Sequence, residues 1–295
     1  MLAQGRGAWW NGRGDADILG CVARAEQAQL DFVIGKASFT YAIRKFVEAG
    51  FKVGVERYAY PDQPGLEAYY LPDGLENGAR FVVINAEAEW EVTDGLDMRQ
   101  LCQGVRDGYP NVEIYASVDT RGDRTHLPYQ QVLREYATAI MPMVYPKSFY
   151  PSQPFGYVSQ SFADCLDTGQ EFGGLPLLPT LQTYDDIGSF AVEEEIEECK
   201  RRGFLGWQAY TIAHASEEEW GVFSQIGRPL SLQERLARLE RLLAGNGIRI
   251  GADTDLLGGE EALRIADNLG ISVYGGLLLT QRDIEAIRQH LRKVP

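Results

Sequence analysis

Phe81-Val82-Val83-Ile84-Asn85-Ala86-Glu87-Ala88-Glu89 is the stretch on which the fold turns. Successive side chains of a strand point to opposite faces. Val82, Ile84, Ala86 and Ala88 make one face, apolar and small, suited to packing beneath helices. Phe81, Val83, Asn85, Glu87 and Glu89 make the other, which begins apolar and turns acidic toward its C-terminal end. Burying one unpaired carboxylate is costly, and burying two side by side costs more. An acidic end on a core face therefore calls for a chemical explanation.

Seven further β-rich runs flank this one, at residues 7–10, 32–35, 51–55, 112–118, 139–145, 177–184 and 204–210. Each is followed by a helix or a helix-sized gap. Eight such units predict an α/β fold, a (β/α)8 TIM barrel, over residues 1–226. Gly50, Gly78 and Gly203 fit as helix stops. Residues 193–198 are five glutamates and an isoleucine, followed by Lys200, Arg201 and Arg202. Acid first and base last complements the helix dipole, so a solvated helix face is expected there. After Ile226 the pattern changes. Leu232, Leu236, Leu239, Leu242 and Leu243 share one helical face. Residues 227–295 read as a small C-terminal helical or mixed appendage, a docking or interaction element for a protein partner.

The chain has 295 residues, enough for one large domain and one small one. Its 42 acidic and 28 basic residues give a formal charge of -14. That balance argues against nucleic acid and against anionic membrane surfaces as partners. It suits a neutral or cationic ligand. No stretch is apolar enough over its length to span a bilayer. The first residues lack the pattern of a signal peptide. The expectation is a protein cytoplasmic as made, with release by lysis or incorporation in a virion as the routes outward. Cys21, Cys102, Cys165 and Cys199 lie far apart in helical stretches and are expected to be free, buried thiols. Arg121-Gly122-Asp123 reads as a turn. His126, His214 and His290 are scattered, with hydrogen-bonding or surface roles expected.

Active sites of such barrels form at the C-terminal ends of the strands. The same alternation places Lys36 and Ser38 on one face of the second run, and Glu56 and Tyr58 on one face of the third. It groups Tyr115, Ser117 and Asp119 on the fifth, and Met141, Met143 and Tyr145 on the sixth. Gln182 goes with Tyr184 on the seventh, and Gln208 with Tyr210 on the eighth. Trp9 or Trp10 ends the first, and Trp10 is taken for the site. Flat aromatics with amides and carboxylates suit a sugar, which offers a face to stack on and hydroxyls to bind. Paired carboxylates supply glycoside hydrolysis: one protonates the leaving oxygen while the other supports the developing cation. A salt bridge to Lys36 or Arg57 is the alternative for any single acid. Glu87, Glu89 and Asp119 could also hold a metal, against which the lack of histidines at the mouth counts. No metal and no cofactor are expected.

The fourth run resembles the fourth strand of the chitinase-type glycoside hydrolases, with their D-x-D-x-E pattern ending in the catalytic acid. Here it reads Asn85-x-Glu87-x-Glu89, or, in a second register, Glu87-x-Glu89-x-Glu91. Met141-Pro142-Met143-Val144-Tyr145 resembles the family's M-x-Y strand. Trp207 is similar in place to a tryptophan that floors such sites, although its parity sets it opposite to Gln208 and Tyr210. The resemblance covers the barrel and none of the appendage. It implies a hydrolase of a peptidoglycan- or chitin-like polysaccharide. Glu89 would be the general acid, Glu87 would orient it, and Asp119 and Tyr145 would support the reacting sugar. Glu56, Tyr58, Tyr115, Gln182, Tyr184, Gln208, Tyr210 and Trp10 would bind substrate. The alternative function is a glycan-binding or structural barrel without catalysis, such as a phage tail or cell-wall component.

Overall fold

The computed structural model describes residues 5–12, 18–92, 95–124, 126–152, 157–185 and 187–224. The appendage expected at 227–295 lies outside them. Eight parallel strands close a barrel in chain order. They are β1 (Arg6–Trp10), β2 (Phe32–Lys36), β3 (Lys52–Tyr58), β4 (Phe81–Ala86), β5 (Glu113–Asp119), β6 (Ala139–Val144), β7 (Thr180–Gln182) and β8 (Trp207–Tyr210). Between and after them run α1 (Ile18–Gln27), α2 (Thr40–Glu48), α3 (Pro64–Glu76), α4 (Leu96–Gly108), α5 (Leu127–Tyr136), α6 (Pro146–Phe149), α7 (Tyr157–Glu171), α8 (Ser189–Arg201) and α9 (Glu217–Ser224). The (β/α)8 architecture read from the alternating runs is the one observed. All four cysteines are buried in helices, and none forms a disulfide among the described residues. Among the described residues, no helix is long and apolar enough to cross a membrane.

Helix faces follow the 3.6-residue period. Met98, Leu101, Cys102 and Val105 form the buried stripe of α4, and Ala42, Ile43 and Phe46 that of α2. The barrel interior is a solid core of Trp9, Phe32, Ile34, Phe81, Val83, Tyr115, Ala139, Met141 and Leu178. Phe81 meets Phe32 and Tyr115 edge-on, with centroids 6.0 and 5.3 Å away. Each such ring contributes about 1.5–3 kcal/mol by leaving water. Two glycines make room for it. A Cβ on Gly7 would lie 2.1 Å from the Phe32 ring, and one on Gly54 would lie 2.1 Å from Phe81. Each glycine is the register partner of the phenylalanine it admits. Beneath this layer Lys52 pairs with Glu113 at 2.9 Å.

Two expectations about the elements are corrected. The fourth strand does not run to Glu89: it ends at Ala86, and residues Ala88–Val92 form a 3-10 turn. Trp90 buries its ring there, and its indole N–H donates to the Ala59 carbonyl at 2.8 Å. That anchorage draws the chain away from the extended direction. The acidic run of α8 is not a uniformly solvated face either. Glu195 and Glu198 are buried beside Ala191, Val192, Ile196 and Cys199. Glu195 accepts the Gln182 backbone N–H at 3.0 Å, and Glu198 accepts from Arg201 Nε at 2.7 Å. Helical geometry forces some of a continuous acidic run inward, and these contacts receive it.

Candidate active site

The C-terminal ends of β3, β4 and β5 carry the acids. Glu87, just beyond β4, is half-buried and accepts from Asn85 Nδ2 at 3.0 Å. Burial raises its pKa above the usual carboxylate range, the Asn85 hydrogen bond opposes this, and Asp119 and Glu89 add to it. Glu56, on β3, is only 7% exposed. Burial pushes its carboxyl up to about 7, against the pull of Lys36 and Asn85. Glu89 sits on the 3-10 turn and is exposed, with both carboxylate oxygens 2.8 Å from the Tyr58 hydroxyl that donates to them. Glu91 pairs at 3.3 Å with Arg124, the guanidinium that also reaches Asp119.

Asp119, at the end of β5, is buried in a cationic grip. Arg121 donates to it from its backbone N–H at 3.0 Å and from Nε at 2.9 and 3.1 Å, with a further contact from Nη2. Arg124 Nε lies 3.2 Å from the same carboxylate. A carboxylate so surrounded is oriented by its partners. The turn containing Arg121-Gly122-Asp123 supplies this grip.

The ends of β6, β7, β8 and β1 carry rings instead. Tyr145, Tyr184 and Tyr210 meet one another at centroid distances of 5.5–5.7 Å, and Trp9 joins Tyr210 at 5.6 Å. Burial raises the pKa values of all three tyrosines, Tyr210 to about 12, so at neutral pH they are neutral hydroxyls. Beside them opens a cleft of about 400 Å³ lined by Asn11, Tyr184, Asp185, Tyr210, Thr211 and His214. Asn11 Nδ2 donates to the Tyr210 hydroxyl at 2.8 Å. Among the described residues, Thr211 Oγ1 is buried without a hydrogen-bond partner.

The structure thus brings Glu56, Tyr58, Glu87, Glu89, Asp119, Tyr145, Tyr184 and Tyr210 to the mouth. Four residues expected there sit elsewhere. Tyr115 is 0% exposed in the barrel core, and its hydroxyl donates to Glu113 at the opposite end, at 3.3 Å. Gln208 is wholly buried one layer down, donating to Thr180 Oγ1 at 2.6 Å. Gln182 is also wholly buried, and its Oε1 accepts the Lys147 and Ser148 backbone N–H groups at 3.1 and 3.3 Å. Trp10 packs edge-on against Phe39 outside the barrel, leaving Trp9 inside. Trp207 occupies the helix-facing side of β8, as its parity implied. Asn11, Asp185 and Thr211 are not assigned to the mouth by the sequence, and Arg121 and His214 read there only as part of a turn and as a scattered histidine, because all five follow strands. Their signal was position alone, since loops after barrel strands build the mouth. His126 is structural, bonding the Asp119 carbonyl at 2.7 Å and Glu171 at 2.6 Å. Among the described residues, no three His, Cys, Asp or Glu side chains converge to hold a metal ion.

No protein-family model matches the chain, and no curated protein matches it by sequence. Solved structures match its fold. The chitinase from Chromobacterium violaceum aligns with 76% of this chain and 99% of its own, with a TM-score of 0.57 and 11% identity. The Bacillus cereus spore cortex-lytic enzyme SleL aligns over 74% and 73%, at 0.53 and 8%. The tamarind chitinase-like lectin aligns over 76% and 99%, at 0.52 and 13%. The barrel therefore has the fold of chitinases and related glycoside hydrolases, a fold that a lectin also uses.

Proposed function

We propose that this barrel hydrolyses glycosidic bonds in a peptidoglycan- or chitin-like polysaccharide, with Glu87 as the proton donor. The observation that carries this reading is Glu87 itself. It is a half-buried carboxyl with a raised pKa, amid acids on one side and rings on the other. A carboxyl with a raised pKa holds its proton to higher pH than an ordinary one and can give it to a leaving oxygen. Glu89, exposed and fixed by Tyr58, is the carboxylate that supports the developing cation or takes a proton from water. This exchanges the two roles that the strand pattern implied, because Glu89 stands off the strand on the turn. Asp119 orients through its arginines, and Tyr145 offers a hydroxyl to the reacting sugar. Tyr184 and Tyr210 form a wall on which sugar rings stack, and the adjoining cleft receives the next unit.

Release of reducing sugar from peptidoglycan and chitin is the direct test, comparing wild type with Glu87→Gln and Glu89→Gln. Loss of turnover in Glu87→Gln with glycan binding retained is expected. Full turnover in Glu87→Gln would return the acid to Glu89. The second reading is a glycan-binding barrel without catalysis, built into a larger particle through residues 227–295. Its support is the ion-paired state of Asp119, which withdraws one mouth carboxylate from chemistry. Tight glycan binding by wild type with no sugar released from either polymer would establish it over the first.

A further inference from the structure

The register between β6 and β7 stops at Val144 and Leu181. Beyond it the chain from β6 turns into α6, which opens on Pro146, a residue without an N–H. The amides of Lys147 and Ser148 come next, and the opening N–H groups of a helix have no partner within it. Both find one in Gln182, whose Oε1 accepts them at 3.1 and 3.3 Å. Gln182 Nε2 donates to Ser148 Oγ at 3.0 Å, and that hydroxyl shares a hydrogen bond of 2.9 Å with the Tyr184 hydroxyl. The Gln182 backbone N–H is held in turn by Glu195 Oε2 at 3.0 Å. A wholly buried amide thus takes over where the strand pairing ends. The turn it holds carries Tyr145 before it and Phe149 at its close. Tyr145 lies 5.5 Å from Tyr184 and 5.4 Å from Phe149, ring centre to ring centre. Phe149 in turn faces the guanidinium of Arg121 at 5.0 Å, the residue that grips Asp119.

We propose that Gln182 is a positioning residue: it fixes the α6 turn to the end of β7 and so sets Tyr145 against Tyr184, making one surface of the two rings. The residue type matters as much as its place. An amide offers an acceptor with two lone pairs and a two-proton donor on one planar group. Here the acceptor serves two backbone N–H groups and the donor serves a hydroxyl. A hydrocarbon of equal length fills the same space and makes none of these bonds. The Lys147 ammonium would still reach the Asp185 carbonyl, at 2.9 Å, but from a long and flexible stem. The consequence for a bound glycan rests on the function proposed above, whereas the fixing of the turn does not.

The test is NMR on the full chain, comparing wild type with Gln182→Met, which keeps the length of the side chain and none of its hydrogen bonds. Exchange of the Lys147 and Ser148 amide protons is expected to speed about 10–100-fold, with the amides of β4 and β5 unchanged. The ring-to-ring Overhauser contact between Tyr145 and Tyr184 should weaken, while that between Phe81 and Tyr115 in the core persists. Ser148→Ala alters an exposed residue and serves if Gln182→Met does not fold. It should weaken the Tyr145–Tyr184 contact less and leave the two amides protected, since Oε1 still accepts them. Calorimetry with chitotetraose adds the ligand. Gln182→Met should bind about tenfold more weakly and Ser148→Ala about threefold, with the double variant no weaker than Gln182→Met alone, because the serine acts through the glutamine. Exchange that speeds equally across the barrel, additive losses of binding, or an undiminished Tyr145–Tyr184 contact in a folded variant overturns the proposal. A wild type that binds no chitotetraose, with the two amides and the ring contact of Gln182→Met changed as expected, upholds the positioning and sinks the glycan reading instead.

Discussion

The two halves of the mouth are built on opposite principles. The arc over β3, β4 and β5 holds carboxylates in different states: Glu56 and Glu87 with raised pKa values, Glu89 in solvent, Asp119 locked by arginines. The arc over β6, β7, β8 and β1 holds neutral rings, with the Tyr210 hydroxyl tied to Asn11 and the Tyr184 hydroxyl to Ser148. The first arc differentiates like groups by environment, which is what acid chemistry needs. The second repeats one group for area. A ligand across both would be stacked on one side and reacted on the other.

The sharpest way to break this division is Glu87→Gln. If the acidic arc is the reactive one, hydrolysis should fall by about 10²–10⁴-fold, as loss of a general acid does. Glycan binding, followed by calorimetry, should survive. Removing a ring should do the reverse. Tyr210→Ala is expected to weaken glycan binding by about 1 kcal/mol, the worth of an aromatic contact, with a smaller change in kcat. A larger loss in kcat than in binding would merge the two arcs into one catalytic unit.

Arg121→Ala probes how Asp119 is kept apart from its neighbours. One cation lost from a buried carboxylate, with Arg124 still present, should cost about 1–3 kcal/mol in urea unfolding. The smallest effect concerns the support behind the aromatic arc. Glu195 holds the Gln182 backbone, and Gln182 in turn donates to Ser148 Oγ at 3.0 Å, which bonds the Tyr184 hydroxyl at 2.9 Å. Burial raises the Glu195 pKa well above its unfolded value. Its contribution to stability is therefore fully present below the unfolded carboxylate pKa and is lost as pH rises through the folded one. Glu195→Gln should flatten that decline, giving a Tm about 2–4 °C above wild type at pH 8 but not at pH 4. A parallel offset at both values would mean that packing, not ionisation, is responsible.

Much of this was legible in the residues. Alternation assigned the inward faces of β3, β5, β6 and β8, and Glu56, Asp119, Tyr145 and Tyr210 follow it. It could not assign depth. Tyr115 and Gln208 share the parity of mouth residues but lie below them, because a period of two repeats along the whole strand. The end of β4 was hidden as well, since the alternation of small and acidic residues continues past the point where Trp90 turns the chain. Trp9 and Trp10 were indistinguishable by type. The grip on Asp119 depends on a loop returning two residues later, which hydrophobic patterning does not register.

The glycine–phenylalanine partnerships low in the barrel act as a vernier for everything above them. Gly54 is matched to Phe81, and only a residue without a side chain can stand there. A slip of β3 by one residue would set Val53 or Val55 against that ring. The same slip would turn Glu56 out of the barrel and part it from Asn85. Glu56 lies about 7 Å along the strand from Gly54. The height of Glu56 at the mouth is thus calibrated by an absence of atoms in the layer beneath it.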